Sequence, residues 1–81
     1  MKLTVRLFAT LKDRVGASRV ALELPENATV ADLLDALVRV HPAVEPSLKS
    51  LLISVNQEYA GREQKLFPGD EVALFPPVSG G

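Results

Sequence analysis

Residues 29–41, TVADLLDALVRVH, hold the one long amphipathic pattern of the chain. Thr29 and Asp32 have the spacing of a capping box, in which each side chain hydrogen-bonds to the backbone N–H of the other residue. The residues that recur at intervals of three or four, and would share one helix face, are Val30, Leu33, Leu34, Leu37, Val38 and His41. Pro42 then ends the helix, since proline cannot continue it. The stretch predicts a long helix whose apolar face must pack against the rest of the chain.

Alternating apolar and polar side chains on both sides of this helix predict strands with one buried face. The alternating segments are residues 3–9, 18–24, 51–56 and 71–75. A shorter strand segment is expected around Tyr59. In the last strand the alternation places Val72 and Leu74 in the core and leaves Ala73 and Phe75 outside. These elements predict an α+β fold in which a sheet of four to five strands wraps around one long helix.

The connections between these elements have their own signals. A Thr10-x-x-Asp13 spacing ahead of a glycine predicts a short extra helix after the first strand. Residues 43–50 are expected to form a loop or irregular turn. Pro68 and Gly69 suit the two central positions of a type II turn, which would lead into the last strand.

The segment after the last strand differs from everything before it. Pro76 and Pro77 fix their own φ angles and remove two backbone donors, so neither a strand nor a helix can continue through them. Beyond them Ser79, Gly80 and Gly81 have almost no side chain, and six extended residues span about 20 Å. The one reactive group at such a tip is the Gly81 α-carboxylate, which is ionised at neutral pH and must be activated from outside.

Residues 69–81, GDEVALFPPVSGG, resemble the end of the molybdopterin synthase small subunits, a family of ubiquitin-like sulfur carriers. The ending FPPVSGG is the specific part, because Gly-Gly alone is shared by all ubiquitin-like modifiers and carriers. The resemblance implies a β-grasp domain with a mixed sheet over residues 1–75 and an extended C-terminal tail over residues 76–81.

The resemblance also implies a role in molybdenum cofactor biosynthesis. An E1-like enzyme would use ATP to adenylate Gly81, and a sulfur donor system would convert the terminus, next to Gly80, to a thiocarboxylate. The tail would then enter the large, catalytic subunit of molybdopterin synthase and give its sulfur to cyclic pyranopterin monophosphate, which becomes molybdopterin. A complex of two small and two large subunits is implied. The carrier would not be an enzyme on its own and would bind no cofactor.

In this fold the first and last strands lie side by side, so the outward-facing Phe8 and Phe75 are expected to be exposed neighbours. Tyr59 would extend their patch, and an exposed apolar patch beside a reactive tail is typical of a docking surface. The resemblance implies that this face, with Pro76, Pro77, Val78 and Ser79 of the tail, binds the activating enzyme and the large subunit. A twist or bulge of the strands would instead turn the two rings into the core.

Composition limits the other functions open to the chain. With 81 residues and a formal net charge of −1, it suits one globular domain and argues against a nucleic-acid-binding protein. Cysteine is absent, which excludes disulfides and thiolate metal sites. His41, the only histidine, has no partner at metal-ligand spacing and is expected to have a structural or capping role. Because no signal-peptide core or membrane-length apolar run is present, no membrane contact and a cytoplasmic location are expected.

Two alternatives stay open. A related carrier that serves thiamine thiazole synthesis or tRNA thiolation would share the Gly-Gly end, but its resemblance to residues 74–78 is weaker. A ubiquitin-like modifier conjugated to lysines through Gly81, or a non-enzymatic interaction module, belongs to a different class. Isopeptide-linked conjugates would distinguish the modifier from a carrier, which would show a thiocarboxylate and few conjugates.

Overall fold

The computed structural model describes residues 1–77. Its strands are β1 (Lys2–Leu7), β2 (Arg19–Glu23), β3 (Leu52–Val55), β4 (Glu58–Tyr59) and β5 (Glu71–Phe75). Its helices are α1 (Ala9–Val15) and α2 (Val30–Val40), and a 3₁₀ segment, Pro42–Ser50, follows α2. Four of the predicted site residues, Val78, Ser79, Gly80 and Gly81, lie outside the described residues.

The five strands form one mixed sheet in the order β2-β1-β5-β3-β4. β1 and β5 pair in parallel, whereas the other neighbouring strands are antiparallel. The strand that leads into the tail therefore lies at the centre of the sheet, bonded on both sides. The predicted α+β fold, with a sheet of four to five strands around one long helix, is confirmed.

The core lies between α2 and one face of this sheet. From α2 it receives Val30, Leu33, Leu34 and Leu37, which are all buried. The sheet contributes the alternating apolar residues of its strands: Leu3, Val5, Leu7, Val20, Leu22, Ile53, Val55, Val72 and Leu74. Burial of each such side chain stabilises the fold by about 1.5–3 kcal/mol relative to leaving it exposed. Within the described range no charged or polar residue is buried, so apolar packing holds this core together.

The ends of α2 match the sequence pattern. The Thr29 backbone N–H donates to Asp32 Oδ2 at 2.9 Å, and the Asp32 N–H donates to Thr29 Oγ1 at 3.4 Å. The predicted capping box is therefore present. His41 is the C-cap residue, and its N–H donates to the Leu37 carbonyl at 2.7 Å.

The short helix α1 is present, but the predicted capping box at its start is wrong. Phe8 is the N-cap residue in an extended conformation without a side-chain cap, so Thr10 lies within the first turn. The first strand is also shorter than predicted, because it ends at Leu7 and Ala9 already belongs to the helix. Gly16 ends α1 in the left-handed conformation at φ 83°, which glycine adopts without steric cost.

The connection between α2 and β3 also differs from the prediction. Residues Pro42–Ser50 form 3₁₀ turns in place of a loop. The two prolines, Pro42 and Pro46, have no N–H to donate to a regular α-helical ladder. The segment packs against both helices and buries Val44, so it closes one side of the core. Within residues 1–77, neither helix is long and apolar enough to cross a membrane.

Two tight turns lead into β4 and β5 and set the positions of these strands. Asn56 and Gln57, between β3 and β4, both have positive φ, 52° and 71°, as a two-residue type I′ hairpin requires. Gly69 has φ 87° and the Asp70 N–H donates to the Phe67 carbonyl at 3.1 Å. The latter geometry is the type II turn expected from Pro68 and Gly69.

Candidate functional site

Phe8 and Phe75 stack on the face of the sheet that lies away from α2. Their ring centroids are 4.6 Å apart and their planes differ by 11°. The cause is the parallel register of β1 and β5, which pairs Leu7 with Leu74 and places the two following residues side by side. Neither ring turns into the core, but both are half-buried where full exposure was expected. Each ring covers one face of the other, and stacking of this kind contributes about 0.5–1.5 kcal/mol.

Leu52 belongs to the same patch, although sequence reasoning did not select it. It lies directly opposite Phe75 in the antiparallel ladder of β3 and β5, and 38% of its surface is exposed. Side chains opposite each other in such a ladder share one face of the sheet. The signal was available in the alternation of β3, because Ile53 and Val55 point inward and Leu52 therefore points outward.

Tyr59 lies on the same face, beyond β3. It pairs with Ser54 across the β3–β4 ladder and is 81% exposed. Together with Phe8 and Phe75 it lines one shallow groove in the outer face. We call Phe8, Leu52, Tyr59 and Phe75 the aromatic patch. Phe8, Tyr59 and Phe75 are among the partner-binding residues predicted from the sequence, and their binding role stays a prediction.

Charged groups border the aromatic patch on its β1 side. The Arg6 guanidinium carbon lies 5.1 Å from the centroid of the Phe8 ring, within the range of a cation–π contact. Its Nη1 is also 3.5 Å from Glu71 Oε1. The patch is therefore apolar in the middle and ionic at this edge, as protein interfaces commonly are.

Ala73 forms the floor between these groups. The alternation predicted it to be outside, and it does lie on the outer face, but only 7% of it is exposed. Ala73 occupies the central strand with Arg6 opposite on β1 and Ser54 opposite on β3. The side chains of Arg6 and Ser54 are larger than the methyl group of Ala73 and cover it from both sides. Ala73 is therefore buried although it does not belong to the core.

Asn56 braces the hairpin that carries Tyr59. Its Nδ2 donates to Asp70 Oδ1 at 3.0 Å, and its Oδ1 accepts from the Glu71 N–H at 3.0 Å. Its own backbone N–H donates to the Glu71 carbonyl at 2.8 Å. These bonds tie the β3–β4 hairpin to the turn before β5, and so hold Tyr59 in a defined position relative to the central strand.

The tail begins directly beside the aromatic patch. Phe75 is the last residue of β5, and it is followed by a half-buried Pro76 and an exposed Pro77 without regular secondary structure. The described face offers apolar, aromatic and charged contacts to a partner. Within residues 1–77 no group of three or more histidine or carboxylate side chains is arranged to hold a metal ion.

The sheet with a parallel central pair, packed on one long helix, is the β-grasp fold of ubiquitin-like proteins, and the aromatic patch beside its last strand is suited to docking. Within that class, the chain belongs to the ThiS family, which it matches over residues 5–81.

The similar proteins include both a sulfur carrier subunit and a modifier protein. The chain is 37% identical over 83 residues to a molybdopterin synthase sulfur carrier subunit of Chlamydomonas reinhardtii, with both chains covered in full. It is also 40% identical over 84 residues to small archaeal modifier protein 1 of Haloferax volcanii, covering 94% of this chain and 97% of that protein. A crystal structure of SAMP1 from Haloferax volcanii superimposes with a TM-score of 0.92 at 38% identity, with full coverage of both chains. The family is thus clear, and the relatives named here include a sulfur carrier subunit and a modifier protein.

Proposed function

We propose that this chain is the sulfur carrier subunit of a molybdopterin synthase. The structural observation that supports the proposal is the position of the aromatic patch, which surrounds the end of the central strand from which the tail departs. A partner that binds this patch receives residues 76–81 at a fixed starting point. The full-length similarity to a protein of that name supports the same function.

The reactive group of the proposed carrier is the α-carboxylate of Gly81. A carboxylate is a poor electrophile because it is ionised at neutral pH. In the activating enzyme, its oxygen attacks the α-phosphorus of ATP, pyrophosphate leaves, and an acyl-adenylate results. Sulfide-level sulfur from the donor then attacks the acyl carbon, AMP leaves, and the terminus becomes a thiocarboxylate. Gly80 and Gly81 allow the backbone to approach the nucleotide closely, since neither has a side chain.

Sulfur transfer regenerates the carrier. The thiocarboxylate sulfur attacks a carbon of cyclic pyranopterin monophosphate in the large subunit and displaces an oxygen substituent from it. Water then adds to the resulting thioester at the Gly81 carbonyl carbon, the bond between that carbon and sulfur breaks, and the sulfur stays on the substrate. Each tail carries one transferable sulfur, whereas the dithiolene of molybdopterin contains two. Two loaded carriers are therefore consumed for each product, and the proposed complex contains two small and two large subunits. The acid–base groups of this reaction belong to the large subunit, so the carrier is not a catalyst on its own, and the reaction is proposed to be cytoplasmic.

A reconstitution tests this function. Thiocarboxylated protein, the large subunit and cyclic pyranopterin monophosphate are combined, and molybdopterin is measured. We expect product at one molecule per two carriers. Deletion of Gly81 is expected to abolish transfer without changing the melting temperature, because the deleted residue lies beyond the core strands. No product from a large subunit that is active with its own carrier would refute the pathway, and transfer by the Gly81 deletion would refute the chemistry.

A second function is supported by the 40% identity to small archaeal modifier protein 1. A modifier would use the same Gly81 carboxylate, activated in the same way, but a lysine amine of a target protein would displace AMP and form an isopeptide bond. Affinity purification of the tagged chain from its own cells, followed by mass spectrometry of lysines that carry its C-terminal tryptic remnant, residues 66–81, distinguishes the two functions. Abundant conjugates would favour the modifier, whereas a thiocarboxylate mass on the free chain would favour the carrier.

A further inference from the structure

The outer face of the β1–β2 ladder has an unequal distribution of charge. At one end Lys2 lies directly opposite Glu23, which is an attractive pair. At the other end, next to the aromatic patch, Arg6 lies directly opposite Arg19. Like charges directly opposite each other in an antiparallel ladder destabilise the sheet. The repulsive pair therefore costs the isolated protein stability at the very edge of its candidate docking face.

Carboxylates of this chain neutralise only part of that charge. Arg6 has Glu71 at 3.5 Å and the Phe8 ring at 5.1 Å. Within residues 1–77, Arg19 takes part in no ion pair. Lys12 of α1 lines the same concave surface as Arg6, Phe8 and Arg19, and it also forms no ion pair there. Three cations thus line one hollow beside Phe8, and of these Arg6 is paired with Glu71.

This concentration of positive charge is local. The protein as a whole has a formal net charge of −1. The exposed Glu23, Asp32 and Asp35 line a hollow elsewhere on the surface, with Arg39 among them. The cations at the edge of the aromatic patch are therefore a feature of that edge and not of a generally basic protein.

We propose that Arg19 and Lys12 form a cationic rim of the docking face, which binds carboxylate side chains of the synthase large subunit next to the apolar surface that receives Phe8 and Phe75. The inference rests on the proposed function and adds the chemistry of the partner surface. Carboxylates placed there relieve the repulsion between Arg6 and Arg19. Charges at the rim of an interface mainly speed association and orient the encounter, so the rim directs the tail toward the large subunit.

Association kinetics with the purified large subunit test the rim. Wild-type chain is compared with Arg19→Gln, Arg19→Glu and Arg19→Lys at about 0.02 M and about 0.5 M salt, between which the screening length falls several-fold. The matched control is Arg39→Gln, which makes the same change of charge at an exposed position of α2, the helix on the opposite face of the sheet. Thermal unfolding of each variant monitors the fold.

At low salt we expect Arg19→Gln to lower the association rate constant about threefold or more, and Arg19→Glu to lower it further. At high salt the differences should disappear. Arg19→Lys and Arg39→Gln should associate at the wild-type rate, and the melting temperature of Arg19→Gln should not fall, because the change removes a repulsive contact.

Two results would overturn the inference while leaving the proposed function intact. One is association of Arg19→Gln and Arg19→Glu at the wild-type rate in low salt. The other is a loss for Arg19→Lys as large as that for Arg19→Gln, since charge would then not be the cause. A wild-type chain that does not bind the large subunit at all would overturn the proposed function, and this inference with it.

Discussion

Phe8 stacks on Phe75 at a centroid distance of 4.6 Å, although 67 positions separate the two residues in the chain. We expect the single variants Phe8→Ala and Phe75→Ala to be less destabilising in combination than the sum of their separate effects. The shared stacking energy should appear as a coupling of about 0.5–1.5 kcal/mol in a double-mutant cycle. Urea unfolding of the four proteins measures it. Additive effects would mean that the two rings do not stabilise each other.

Tyr59 is expected to matter for binding and hardly at all for stability. Because its side chain is 81% exposed, Tyr59→Ala should change the free energy of unfolding by no more than about 0.5 kcal/mol. Binding to the large subunit should weaken about fivefold or more, as truncation of an aromatic interface residue commonly costs at least about 1 kcal/mol. Calorimetric titration measures the affinity.

The control for this prediction is Phe67→Ala. Phe67 is also an exposed ring, at 58%, but it lies in the turn before β5, at the far end of that strand from the tail. Its truncation should leave the affinity unchanged. Equal losses for Phe67→Ala and Tyr59→Ala would remove the reason for placing the docking face at the aromatic patch.

Leu37 is expected to be a main support of the core. It is fully buried on α2, so Leu37→Ala should lower the free energy of unfolding by about 2–5 kcal/mol through lost burial and the cavity left behind. Val40, on the last turn of the same helix, is exposed, and Val40→Ala should stay within about 0.5 kcal/mol of the wild type. Urea unfolding compares the two. A loss below 1 kcal/mol for Leu37→Ala would contradict the packing described for α2.

Asn56 combines a side-chain role with a backbone role, and two substitutions separate them. Asn56→Gly keeps the positive φ of 52° but loses the bonds to Asp70 and Glu71, which should cost about 1–2 kcal/mol. Asn56→Ala should cost about 1 kcal/mol more, because a residue with a Cβ is strained in the left-handed region. Unfolding free energies test the order, and faster amide exchange in β4 should accompany both. Equal losses would show that the backbone angle contributes nothing.

The elements that follow from local pattern were predictable. The capping box at Thr29 and Asp32 involves residues three positions apart, and the apolar face of α2 repeats within a few turns. The alternation of inward and outward side chains in β5 likewise predicted Val72 and Leu74 in the core, where both are fully buried. The β-grasp fold then followed from the number and order of the elements and from the resemblance of the tail.

The features that sequence reasoning missed depend on residues brought together from distant parts of the chain. The start of α1 at Ala9 follows the extended Phe8. The ring of Phe8 stacks on Phe75, which lies near the other end of the sequence. The burial of Ala73 depends on the strands on both sides of it, and the pairing of Arg6 with Arg19 depends on a register that alternation alone does not define. Pairwise neighbours across a sheet are a product of the fold, not of local spacing.

The central position of β5 links synthesis of the chain to its use. A nascent chain that has not yet extended through β5 lacks the middle of its sheet, and Val72 and Leu74 are missing from its core. Because such a long-range parallel pairing can form only late, truncated products should stay unfolded and be open to proteolysis. A chain that stops before β5 would then not present the folded docking face, so this face is completed only together with the strand that bears the tail.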